Sequence, residues 1–171
     1  MKKFFLMQAQ YNAWANGIIY EASAELSEEE YHRDIGAYFR SVHGTLNHMY
    51  AADMVWLARF SNEGEILTSV DDILFEDLAD LREARVVLDE RILSLVQQMT
   101  DVDFERPILF RTTRRPVLVE KPLLAAMAHF FTHHAHHRGQ IHAFLRQLGY
   151  KPAPIDMIHF QEDIGVGVAA A

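Results

Sequence analysis

The chain has no cysteine in its 171 residues. A disulfide framework, a cysteine-ligated zinc site and a protein-borne thiol nucleophile are therefore excluded, and any thiol chemistry must use a thiol that a substrate brings. Proline and glycine are scarce, at five and eight residues, and fall mostly between periodic segments, as in an ordered globular chain. No run approaches the ~18 consecutive apolar residues of a membrane-spanning helix. The opening MKKFFLMQAQYNAW has too short an apolar stretch for a signal-peptide core, so a cytoplasmic location without membrane association is expected. Basic residues are also in deficit, 16 Lys and Arg against 24 Asp and Glu, for a formal net charge of −8. With no basic stripe along any segment, nucleic acid is a poor partner. Two metal motifs are missing as well. There is no HisGlu-x-x-His, which disfavours peptidase chemistry, and Glu-x-x-His occurs once, at Glu29 to His32, where a di-iron bundle needs two.

What is present is apolar periodicity. Half the residues are hydrophobic, enough for one core, and residues 1–171 are expected to form a single domain. Three-and-four spacing predicts helices over about 3–26, 41–60, 72–99 and 123–148, the third opened by Ser69 and two aspartates and the fourth stopped at Gly149. The acidic run at 27–30 reads as a solvated connection. Between Phe104 and Pro122 the helical period breaks, and a short hairpin is expected. Its Arg111, Arg114 and Arg115 can bind a substrate carboxylate or form a solvated turn. The fold class is all-α: an up-down four-helix bundle with a short hairpin or irregular insert before the last long helix.

The densest chemical signal is the run from His129 to His142, which holds six of the ten histidines. At about 100° per residue, His133 and His137 share one helix face and can aim two imidazoles at one point. Taking His129 as zero, the apolar residues Ala126, Phe130, Ile141, Phe144 and Leu148 fall at roughly 60–120°. His137 lies inside that arc, with His133 and His134 at its two edges, and all three need a buried polar explanation. His129, His136 and His142 lie to the side or point away. A buried imidazole without a partner costs on the order of 1–3 kcal/mol, and a cluster repels itself when protonated; a divalent cation removes both penalties.

Two histidines on one helix bind weakly, so a third ligand is sought on another helix. His43 and His48 are the choices, and their five-residue spacing prevents both from facing one ion. His48, whose helical rows include Ala51, Ala52, Val55 and Trp56 beside the core stripe, is preferred, with His43 capped or solvated. Three histidines leave a coordination position open for water or substrate, the arrangement of a catalytic site, and Zn, Ni and Fe(II) all accept such nitrogens. Trp14 and Arg114 are candidate pocket residues whose alternative roles are core and turn.

The chain resembles the DinB-like metal-binding four-helix bundles, also known as the YfiT or damage-inducible group. The resemblance covers most of the chain and is carried by TyrAsnAlaTrpAlaAsn at 11–16, ThrLeuAsnHis at 45–48 with AlaAspMetValTrp at 52–56, and HisHisAlaHisHisArgGlyGln at 133–140. LeuArgGlnLeuGly at 145–149 and ProIleAspMetIle at 154–158 complete it. It implies a divalent metal, Zn or Ni most often and Fe less so, held by His48, His133 and His137. His134 paired with His137 remains an alternative, and His136 and Gln140 are candidates for orienting ligands or nucleophile. It further implies a homodimer and, in some members, transfer of a low-molecular-weight thiol to an electrophilic small molecule. In that mechanism the cation stabilises the thiolate. The competing expectation is a metal- or ligand-binding stress-response protein with no catalysis.

Overall fold

Helix α1 spans Lys2–Ser23, and Ser23 closes it by donating its hydroxyl to the Ile19 carbonyl at 2.8 Å. The computed structural model to which it belongs describes residues 1–61, 67, 69–113 and 117–166. The acidic run is not a bare connection. Ser27 Oγ accepts from the Glu30 N–H while the Glu30 carboxylate accepts from the Ser27 N–H, a reciprocal cap that starts the short helix α2, Glu28–His32. Helix α3 is Val42–Ser61 and helix α4 Leu78–Gln98. Asp77, accepting from Ala79 N–H at 2.6 Å, opens α4 six residues later than expected. The earlier signal fails because the backbone N–H groups of Leu74 and Phe75 donate to Asn47 Oδ1, each at 2.9 Å, and so hold that segment across α3 in non-helical form.

A 3-10 turn at Asp103–Glu105 leads into the expected hairpin, β1 (Pro107–Arg111) paired antiparallel to β2 (Leu118–Pro122) in register from Pro107↔Pro122 to Arg111↔Leu118. Helix α5, Leu123–Gln147, follows at once. It ends on Gly149 at φ +96°, where Tyr150 N–H reaches back to Leu145 and Gly149 N–H to Arg146, satisfying two terminal carbonyls. A further short helix, α6 (Met157–Asp163), lies on α1. Tyr11 donates to the Ile155 carbonyl and Trp14 Nε1 to Asp163, so Trp14 braces the C-terminal segment.

The four long helices form the bundle. Helices α1 and α3 each pack on both α4 and α5 and lie diagonally opposite. Phe5 meets Phe131 and Asn12 meets Arg138, so α1 and α5 run parallel; His48 meets His137 and Phe60 meets Phe130, so α3 opposes α5. Asn47 bonds the segment entering α4 and Asp53 bonds Arg85, so α3 and α4 are parallel. The directions are up, down, down, up, and the connection from α3 to α4 recrosses the bundle rather than turning tightly.

One apolar cluster gathers Phe5, Leu57, Leu88, Met127 and Phe130, the other Ile19, Leu46, Leu81, Ile141 and Leu145. Each such side chain contributes roughly 1.5–3 kcal/mol by leaving water. A buried polar layer separates them. Among the described residues no helix is long and apolar enough to cross a membrane.

Candidate metal centre

On α5 the buried face is broader than the apolar residues alone indicate. Met127, Phe131, His134, Arg138 and Leu145 are buried too, which extends the arc to roughly 200°. That shift puts His134, 1% exposed, in the centre of the core and leaves His133 and His137 at its rim. His48 comes to them from α3. One nitrogen from each of His48, His133 and His137 lies within 4.8 Å of the others, and the ring centroids of His133 and His137 are 4.4 Å apart.

The surroundings fix which nitrogens face inward. His48 Nδ1–H donates to the Val70 carbonyl at 2.8 Å, which leaves Nε2 as its lone-pair nitrogen. His137 Nδ1–H donates to Gln140 Oε1 at 2.7 Å, and its Nε2 lies 3.1 Å from His133 Nε2. The Val70 carbonyl comes from the long α3–α4 connection, so the recrossing topology that sequence did not disclose is what orients His48. Phe39 stacks on the His48 ring at 3.8 Å and 17°. It reaches that place because Gly44 lacks a side chain: a Cβ there would stand 2.1 Å from the Phe39 carbonyl oxygen.

Burial first, and then the neighbouring imidazoles, press His133 down to about 3 and His137 down to about 4, and burial also lowers His48. All three are therefore neutral at pH 7, the form that binds a metal. The donor set fits a divalent cation. Two imidazole nitrogens on one tetrahedral zinc at 2.0–2.1 Å stand about 3.3 Å apart, close to the observed 3.1 Å. A nitrogen pair with lone pairs turned on each other otherwise needs a shared proton.

The remaining candidates go elsewhere. His134 Nε2–H donates to Asp53, and its Nδ1 has no partner among the described residues, so its ring serves the polar core. His43 is buried and takes the capped of its two expected forms, with Nε2–H donating to the Phe75 carbonyl at 2.9 Å. His136 is exposed beside His137, whereas Gln140 holds the His137 ring. Arg111 contributes its carbonyl, which accepts from Arg59. Arg114 and Arg115 lie outside the described residues.

The polar layer escaped sequence reasoning. Asp53 accepts from His134 and from Arg85 NH1, Arg85 NH2 pairs with Asp89 at 2.9 Å, and Asp89 accepts from Asn12 and Asn16. Arg138 NH1 completes the layer by donating to the side-chain oxygens of Asn12 and Asn16. Burial opposes ionisation of Asp53, but His134 and Arg85 outweigh it and hold the carboxyl below its ordinary value. Its trace in the sequence is polar residues at helical spacing inside apolar rows, Asn12 with Asn16 and Arg85 with Asp89.

Beside the centre lies a cavity of about 400 Å³ between α3, the hairpin and α5. His129 stands between the two, its ring 5.6 Å from that of His133 and 5.2 Å from that of Trp56. Val70 also lines the cavity.

Comparison with known proteins agrees with this architecture. Residues 1–164 match the model of the DinB family. The protein named DinB from Bacillus subtilis strain 168 is 31% identical, over 91% of this chain and 92% of its own length. Two solved structures share the fold. A DinB-like protein from Bacillus cereus ATCC 10987 superposes with a TM-score of 0.67 at 18% identity, covering 88% of this chain and 94% of that one. A DinB-like protein from Bacillus subtilis gives 0.59 at 15%, covering 86% and 95%.

Proposed function

The chain belongs to the DinB family, and from that premise we propose that it is a mononuclear divalent-metal enzyme that joins a low-molecular-weight thiol to an electrophilic small molecule. The observation that carries this reading is the facing pair of neutral imidazole nitrogens, His133 and His137 Nε2 at 3.1 Å, with His48 beside them and a substrate-sized cavity next door. His48, His133 and His137 would hold the cation. Zinc or nickel suits three imidazoles best, and Fe(II) is tolerated. When bound, the cation supplies positive charge that favours the thiolate form of a small thiol, with an open coordination position.

The chain's own residues do the rest. The Val70 carbonyl and Gln140 lock the ligand rings in the tautomer that presents Nε2. Phe39 covers one side of His48 and excludes water there. The absence of cysteine keeps the protein from capturing the electrophile itself.

The test is metal per chain by plasma mass spectrometry on untagged protein, beside H48A/H137A, followed by turnover with several thiols and electrophiles. About one equivalent in the wild type, near none in the variant, and turnover that needs both metal and thiol are expected. Equal metal in both proteins removes the site. Loaded protein that stays silent with every thiol removes the transferase and leaves a metal-binding module.

A further inference from the structure

We propose that the cavity beside the histidine centre binds the electrophilic co-substrate and selects a carboxylate with a flat apolar body; its role as co-substrate rests on the transferase reading, its binding does not. The walls supply the body's complement. Trp56 and Phe110 pack edge to face at 5.3 Å, with Val55, Val119 and Ala126 beside them. The charge is supplied by Arg59 and Lys121, which both line the cavity, while among the described residues no aspartate or glutamate does. On a chain of net charge −8, a cavity whose described lining carries two cations and no carboxylate stands out.

Arg59 is built into place. Its guanidinium lies over Trp56 at 4.7 Å and over Phe110 at 4.5 Å, and one NH2 donates to the Arg111 carbonyl at 2.9 Å. Among the described residues no acid pairs with it, so a half-buried planar donor fork remains for a ligand. Burial alone lowers its pKa, the signature of a cation partly out of water without its counter-charge. A ligand whose carboxylate meets Arg59 and Lys121 lays its body along Trp56 towards His129 and the ring of His133. Its other end then reaches the histidine centre. A neutral ligand of the same shape would gain the aromatic walls and forgo the charge-assisted bonds.

The test compares 2-naphthoate with neutral 2-naphthylmethanol by titration calorimetry, on EDTA-stripped and on zinc-loaded protein. We expect at least about a tenfold preference for the acid in both states, the lower end of what hydrogen bonds to a charged group provide. R59Q and K121Q should each weaken the acid several-fold and leave the alcohol unchanged. K121E, at an exposed site that does not threaten folding, should abolish the preference. Equal affinity of acid and alcohol for stripped protein, binding of neither, or a preference unaltered in R59Q and K121E would overturn the proposal. Because stripped protein is used, a preference without thiol turnover sinks only the transferase, and turnover without a preference sinks only the carboxylate pocket.

Discussion

Asp53 is the residue whose replacement should cost most. It is 1% exposed and accepts from two partners at once, Arg85 NH1 at 2.5 Å and His134 Nε2. Removing one member of a buried ion pair typically costs about 3–5 kcal/mol, because the other charge stays out of water unpaired. In D53N, Arg85 keeps Asp89 through NH2 and the amide keeps one acceptor, so the lower end, about 3 kcal/mol, is expected. For a chain of this length that is a fall in Tm of about 6–12 °C. The assay is thermal and urea unfolding followed by far-UV circular dichroism, with EDTA present so that metal plays no part. The pH dependence gives a second reading. A carboxyl held low in the folded state contributes stability that is present above its ordinary pKa, 3.8, and is lost as pH falls through the folded value. The gap between wild type and D53N should therefore be full at pH 7 and close below about pH 4. A Tm change under about 2 °C, or a gap that persists in acid, would refute the assignment of a structural ion pair.

Zinc at 100 times its Kd should stabilise the wild type by about 2.7 kcal/mol, a rise of roughly 5–10 °C, and leave H137A unmoved in a thermal-shift assay. The metal-free protein should lose stability as pH falls from 6.5 towards 4: His133 and His137 are held at about 3 and about 4, so below 6.5 the unfolded chain binds protons that the folded chain refuses. For the same reason zinc affinity, read by competition with a chromophoric chelator, should fall less steeply between pH 7 and 5 than that of three ordinary histidines, which would already be losing the metal to protons. Q140L should weaken zinc about 10–100-fold with little change in metal-free Tm, since among the described residues the Gln140 side chain bonds the His137 ring. G44A should both destabilise by about 1–3 kcal/mol and weaken zinc, because the added methyl displaces the Phe39 backbone and with it the ring over His48. Unchanged zinc affinity in G44A would detach Phe39 from the centre.

What was legible in the sequence was what local periodicity encodes. Helix existence, the hairpin between Phe104 and Pro122, the Gly149 stop and the juxtaposition of His133 with His137 follow from spacings of two, three and four residues, and the structure contains each of them. What was illegible depended on where the chain goes between helices. The parallel run of α3 and α4 sends residues 70–75 back across α3, where their carbonyls meet His43, Asn47 and His48 and their N–H groups meet Asn47. No spacing within α3 discloses a partner 22 residues away that is a backbone atom. The same gap misplaced the start of α4, since Ser69 and Asp71 have helix-start composition and the bonds from the following segment to Asn47 hold it out of a helix.

Apolar counting misled on α5 for a related reason. A hydrophobic arc identifies the core only if the core is apolar, and the middle layer of this bundle is filled by Arg85, Arg138, Asp53, Asp89 and His134. Once those count as interior, the arc widens, and His134 moves from the edge to the centre. His133 and His137 are then the two imidazoles left at the rim, His133 half-buried and His137 buried beneath it. A buried charge layer in which each member answers another helix also supplies what an apolar interior supplies poorly, a single register between α1, α3, α4 and α5. The histidine cluster needs that register: a slip of one residue between α3 and α5 would turn His48 by about 100° away from His133 and His137.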